Sequence, residues 1–219
     1  LKVLAKDEIG IFYLARNTTG PRAFLRVVSE SVTGNPATLG RVERTLQSLA
    51  NVVHRNVAGV IGGAEDDDCF YYVLDAPGAT TLFDLAYSGR SLTERELVWL
   101  GRGLTAGIAA THAAGLTNGG LGPNRVIVTQ HGPIIVDLGW TSRITNADLE
   151  PTEDLYALRD TLLFAATSRS GKTTDLSDSV TQLLDALGES DDASEVAQAW
   201  SKAADALHLP DPMAPESLK

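Results

Sequence analysis

The sequence predicts an α+β protein with a small β-rich part first and a mainly helical, shortened part after it. Three observations carry this. Up to about residue 76, short runs rich in β-branched and aromatic residues alternate with turn residues. Beyond that point apolar residues recur at spacings of three and four behind recognisable helix caps. One further pair of strand-like runs interrupts the helical part around Gly132. The divisions read as 1–76, 77–210 and a polar, Pro-rich tail at 211–219.

Taken in order, IGIFYLAR, the turn NTTG at 17–20 and RAFLRVV at 22–28 make a hairpin. A helix is predicted over 37–53, where Leu39, Val42, Leu46 and Leu49 share a face. VAGVIGG and CFYYVLDA follow as strands, and Cys69, beside Phe70, Tyr71 and Tyr72, is expected to be buried. After the polar stretch 75–78, Thr93 and Glu96 form a capping box, with Leu92 and Leu97 as its hydrophobic staple. Leu97, Leu100, Leu104 and Ile108 continue one apolar stripe towards Gly115. RVIVT and PIIVD then flank Gln130, His131 and Gly132 as a second hairpin. Three helices close the chain, at 153–167 with Leu155, Leu158 and Leu162, at 179–187, and at 194–207 with Val196, Trp200 and Ala203.

Composition narrows the function classes. Apolar residues at 43% and charged residues at 21% are those of a folded globular chain. The net charge of -10, without a basic run, sets nucleic acid aside as a partner. With one cysteine no intrachain disulfide forms, which fits a reducing, cytoplasmic setting. No apolar run reaches the roughly 20 residues needed to cross a bilayer, so direct membrane insertion of this stretch is not expected. The chain starts at Leu1 and ends in the linker-like DPMAPESLK, as a piece of a longer, membrane-tethered parent would.

FYLAR at 12–16, RAFLRVV, VVHRNVAGV at 52–60, YYVLDAPGATTL at 71–82, THAAGL at 111–116, IIVDLG at 134–139 and EDLYALRDTLL at 153–163 occur in an order and spacing that resembles bacterial, actinobacterial-type Ser/Thr protein kinases. The resemblance implies a kinase-like N-lobe over 1–76 and a C-lobe over 77–210 with a truncated activation segment. It also identifies which chemical positions have changed. The glycine-rich loop positions fall on Ala5, Asp7 and Gly10, and Asp7 and Glu8 bring negative charge to where phosphates would lie. The phosphate-binding lysine position is Arg26, and its helix glutamate partner falls on Thr45, with Glu43 turned elsewhere. In TNGGLGPNRVIV at 117–128 the catalytic aspartate position is Gly120, the loop lysine is Gly122 and the metal-binding asparagine is Arg125. Asp137 is the one retained metal ligand, and Arg125 is expected to pair with it in place of Mg²⁺.

The resemblance therefore implies a pseudokinase, with no catalytic residue, cofactor or metal. Its expected role is that of a regulatory or scaffolding module in a larger signalling or membrane-associated protein. Similar actinobacterial pseudokinases sit on the cytoplasmic face of membrane proteins, including a lipid II flippase, where a phosphothreonine recruits a forkhead-associated domain. Such a partner, with an active Ser/Thr kinase to phosphorylate the chain, makes Thr145, Thr173 and Thr174 candidate phosphorylation sites. Two rival readings stand beside this one: a nucleotide-binding switch without phosphotransfer, and a divergent active phosphotransferase using Asp137. His54 and His112 match positions that pack or cap, and His131 and His208 read as exposed. Gly171, Lys172 and Thr173 lack the first glycine and preceding strand of a phosphate-binding loop. The acidic run 65–68 reads as a solvated strand connection.

Overall fold

The computed structural model describes residues 1–7, 9–16, 22–66, 69–75, 78, 80–89, 91–138, 150–167, 171, 173–209 and 211. Its first half is an antiparallel sheet in the order β1-β2-β3-β5-β4. The strands are β1 (Lys2–Asp7), β2 (Gly10–Arg16), β3 (Arg22–Val28), β4 (Val60–Asp66) and β5 (Cys69–Asp75). The predicted hairpin is β2 with β3, in register from Gly10 opposite Val28 to Arg16 opposite Arg22.

β1 was not foreseen, because Lys, Ala and Asp are weak strand formers. Pairing to β2 imposes it, with a register shift between Val3 and Ala5. The positions resembling a glycine-rich loop thus lie on β1 and the start of β2 rather than in a free loop. Gly10 keeps its glycine for a packing reason: a Cβ there would stand 2.0 Å from the Val27 carbonyl oxygen.

Between β3 and β4 lie a short helix, α1 (Glu30–Thr33), and α2 (Pro36–Ala50). α2 starts one residue before the expected 37 and ends three before the expected 53. Asn35 caps it by accepting from the Ala37 and Thr38 amides, with Pro36 in the first turn where its missing N–H costs nothing. Burial alternates along β5, so Phe70, Tyr72 and Leu74 point inward. Cys69 falls on the other parity and is half-buried, not buried as expected.

The sheet ends at Asp75, and the described helices after it are α3 (Leu82–Tyr87), α4 (Glu94–Ala113), α5 (Pro151–Ala166), α6 (Asp178–Glu189) and α7 (Ala193–Ala206). α3, with under two turns, gave no periodic signal. The capping box of α4 is present in both directions, Thr93 to Glu96 and back. α4 is the core helix: Leu97, Leu100, Leu104 and Ile108 are at most 2% exposed, and α5, α7 and the second hairpin pack around it. That hairpin is β6 (Val126–Thr129) with β7 (Gly132–Ile135).

Hydrogen bonds from Ala58 N to Ile135 O and from Ile135 N to Asn56 O fasten the segment after α2 to β7. The sheet and the helical part are thereby held in fixed relation beside the site. Among the described residues no helix is long and apolar enough to cross a membrane.

Candidate functional site

The strand register assembles the site. On β3, Arg26 stands opposite Phe12 of β2 and Tyr72 of β5, and all three side chains turn to the buried face of the sheet. Phe12 and Phe24 stack with ring centroids 5.4 Å apart, and the Arg26 guanidinium lies 5.5 Å from the Phe12 ring centroid. Below this face the helical part contributes Asp137, just after β7, and Arg125, at the end of a 3-10 turn (Pro123–Arg125). From above, the end of β1 brings in Asp7.

These charges form one connected cluster. Arg26 grips Asp137 side-on, Nε donating to Oδ1 at 3.1 Å and Nη2 to Oδ2. Its other edge grips Asp7 end-on, Nη1 to Oδ1 at 2.9 Å and Nη2 to Oδ2 at 3.0 Å. Arg125 Nη2 donates to Asp7 Oδ2 at 2.9 Å, and its Nε lies 3.6 Å from Asp137 Oδ2. The Tyr72 hydroxyl donates to Asp137 Oδ1 at 3.0 Å. Two cations thus face two anions across the junction of the two parts, with the Arg26 and Asp137 side chains 0% exposed, Arg125 12% and Asp7 20%.

The environment fixes the charge states. Burial alone would raise the Asp7 carboxyl, but the hydrogen bond and charge of Arg26 and the charge of Arg125 outweigh it and hold it below its ordinary value. Burial opposes the charge on Arg26, yet the Asp137 carboxylate and the bonds it accepts raise this guanidinium further and keep it cationic. Burial and the Asp137 charge push the Tyr72 phenol well above its ordinary value, so it remains a donor.

The expected pairing of Arg125 with Asp137 is only a secondary contact. Arg26 is the principal partner of Asp137, because β3 already carries it to that spot, and Arg125 spends its bonds on Asp7 and on the Gly120 carbonyl oxygen, 2.9 Å from Nη1. Thr45 is buried and gives its hydroxyl to Arg41 O at 3.0 Å, while Glu43 is exposed. Ala5 sits in β1 opposite Phe12, and Gly122 precedes the 3-10 turn.

A Mg²⁺ ion takes about six oxygen ligands. Here the Asp137 oxygens accept from two side chains, and a guanidinium nitrogen stands 3.6 Å from one of them. Among the described residues no group of three or more His, Cys, Asp or Glu is placed to hold a metal. As they are paired, the Asp137 oxygens are not free to ligate Mg²⁺.

A second buried carboxylate was not singled out from the sequence. Asp154, 1% exposed, accepts from the backbone amides of Asn118 at 2.6 Å and Gly119 at 2.8 Å and lies 2.8 Å from His112 Nε2. It therefore holds the loop that leads to Gly120. Its signal was present: Asp154 lies four residues before Leu158 and eight before Leu162, an acid on an apolar stripe, which is a position for a bonded carboxylate. Among the candidate phosphorylation sites, Thr145 lies outside the described residues. Thr173 is exposed, whereas the Thr174 hydroxyl donates to Leu92 O at 2.6 Å and its amide to Ala166 O.

No family model matches the chain. It is similar to the serine/threonine-protein kinase AfsK of Streptomyces griseus, 23% identical over 191 residues, covering 76% of this chain and 24% of that protein. The probable serine/threonine-protein kinase SCO3848 of Streptomyces coelicolor is 24% identical over 157 residues, covering 69% of this chain and 23% of that protein. The inactive serine/threonine-protein kinase PLK5 of Mus musculus is 28% identical over 145 residues, covering 65% and 24%. The chain spans about a quarter of the length of these relatives. Among solved structures, the kinase domain of Mycobacterium tuberculosis PknI superposes with a TM-score of 0.69 at 17% identity, covering 92% of this chain and 94% of that one. The fold is that of a protein kinase domain, a β-sheet lobe over a helical lobe.

Proposed function

We propose that the chain is a catalytically inactive kinase-like domain, a pseudokinase, acting as a regulatory or scaffolding protein-interaction module within a larger signalling protein. The observation that carries this is the four-residue ion cluster. Its two carboxylates are committed to guanidinium groups at the place where the kinase fold needs free oxygens for Mg²⁺ and room for phosphates. Gly120 adds to it, since a residue without a side chain accepts no proton from a substrate hydroxyl. One relative, 28% identical over 145 residues, is itself described as inactive.

With chemistry removed, the surface remains. An active Ser/Thr kinase and a phosphothreonine-binding forkhead-associated domain are the partners the reading favours, and Thr173 is the described site open to modification. Thr174 is not, because phosphorylation there would break its bond to Leu92. The test is phosphotransfer from ATP, to the chain itself and to a generic protein substrate, with Asp137→Asn as the comparison. The reading expects the same background in both chains. Transfer by the native chain that Asp137→Asn abolishes would establish the rival reading of a divergent phosphotransferase.

A further inference from the structure

Away from the ion cluster, a hollow of about 410 Å³ opens where the segment after α2, the end of β5 and the β6–β7 turn meet. Ligand sites span about 300–1,000 Å³, so the hollow has the size of one. Val57, Ala58 and Ile134 give it a buried apolar lining. His54, Arg55 and His131 add polar groups, and Asp75 is the one carboxylate among the described lining residues. An adjoining notch shares Arg55 and His131 with the hollow and adds Arg102.

The chemistry of this place favours an acid. Both arginines face the Asp211 carboxylate, whose Oδ1 lies 2.6 Å from Arg55 Nη2 and 3.6 Å from Arg102 Nη2. The Arg55 and Asp211 side chains are each about half exposed, so solvent screens the pair and another carboxylate can replace Asp211. His54 Nδ1 accepts from the Asn56 amide at 3.3 Å, and burial with the Arg55 charge holds its pKa below the ordinary value. The ring is therefore neutral, with a donor at Nε2.

The hollow also adjoins a free strand edge. Gly59 lines it, β4 starts at the next residue, and β4 is the last strand of the sheet among the described residues. Such an edge presents unpaired backbone N–H and C=O groups to an incoming strand. Residues 61–65 are all exposed, and a Cβ on Gly62 would meet nothing within 4 Å, so no described group covers this backbone. Ile61 is 63% exposed, and Val53, beside His54, is 95% exposed. At the far end of the edge stands the acidic Glu65.

We propose that the β4 edge and this hollow form one docking site for an extended segment of a partner protein that carries an acid at its C-terminal end. The segment pairs antiparallel to β4, which brings that end to the start of the strand. There an apolar side chain enters the hollow against Val57 and Ile134, and the acid takes the place of Asp211 on Arg55. A basic residue at the other end of the segment meets Glu65. None of these residues belongs to the ion cluster, so the site stands whether or not the cleft is inactive.

The probe is an N-terminally fluorescein-labelled, C-terminally amidated peptide, Lys-Ser-Val-Thr-Val-Ser-Phe-Asp, titrated with the full chain by fluorescence anisotropy. Arg55→Glu is expected to weaken binding about tenfold or more, and Glu65→Lys to weaken it by a smaller factor. Arg16→Glu, the same change of charge on another strand, should bind as the native chain does. A peptide ending in Lys instead of Asp should bind the native chain weakly and Arg55→Glu better, a readout that holds even where a variant is less stable. Amide hydrogen exchange of the native chain should slow at 61–65 when the first peptide is bound. Absence of binding at about 1 mM chain would overturn the proposal. Equal binding by the native chain and Arg55→Glu would do the same, as would equal loss in Arg55→Glu and Arg16→Glu. Binding that appears only after removal of 212–219 would assign the edge to the chain's own tail and overturn the partner.

Discussion

Asp154 and Asp137 are both buried carboxylates, and their partners differ in kind. Asp154 receives the backbone amides of Asn118 and Gly119, from the loop it positions, and lies against His112 at the end of α4. Asp137 receives side chains brought from distant elements, Arg26 from β3, Tyr72 from β5 and, more remotely, Arg125. The first arrangement shapes a backbone and does not depend on what the loop carries, so a loop of Asn118, Gly119 and Gly120 is held in place although it presents no acid. The second depends wholly on side-chain identity, here two arginines and a tyrosine. The anchoring of the loop backbone and the pairing of the buried charges thus rest on different residues.

Breaking the side-chain arrangement should cost most. Arg26→Ala leaves Asp137 buried without its main counter-charge, and a loss of about 3–5 kcal/mol in urea unfolding is expected. The backbone anchor comes next. Asp154→Asn retains one acceptor oxygen but loses the charge that draws in the Asn118 and Gly119 amides, for about 2–3 kcal/mol by the same measurement. Because Arg26 and Asp154 share no partner, the two losses should add in the Arg26→Ala, Asp154→Asn double variant to within about 0.5 kcal/mol, and a larger coupling would show that the two regions are not separable. Arg125→Ala, at the partly open edge, should cost about 1–2 kcal/mol, and an unchanged stability would remove it from the cluster.

Acid gives the smallest and most selective effect. The Asp7 pKa is depressed in the folded state by Arg26 and Arg125 against the opposing effect of burial. Its contribution is therefore complete above the unfolded carboxylate value of about 4 and is lost as pH falls through the lower folded value. Other carboxylates lose stability in the same range, so the discriminating quantity is a difference. The drop in urea midpoint between pH 5 and pH 2.5 should be smaller in Asp7→Asn than in the native chain.

Much of this was legible in the residues. The capping box of α4, its apolar stripe and both hairpins follow from local pattern and tertiary packing left them unchanged. β1 was hidden because Lys, Ala and Asp dilute the strand propensity of KVLAKD, which is held by its pairing with β2. α1 and α3 are too short for a period to register. At the site, the resemblance to protein kinases singled out Asp7, Arg26, Arg125 and Asp137, but not which partner each would choose. That choice is set by which strand faces which: Arg26 lies directly between Phe12 and Tyr72 and reaches both Asp137 and Asp7, and Arg125 adds one bond to Asp7. Asp154 was overlooked for the converse reason, since its partners are backbone amides that sequence cannot display.

The proposal that the ion cluster stands where metal and nucleotide would bind is most directly tested by thermal unfolding of the native chain with and without millimolar ATP, in Mg²⁺ and in EDTA. A ligand at about 100 times its Kd would add about 2.7 kcal/mol and raise the midpoint visibly. The account predicts coincident curves in all conditions. A midpoint that climbs with ATP concentration in Mg²⁺ and not in EDTA would contradict it.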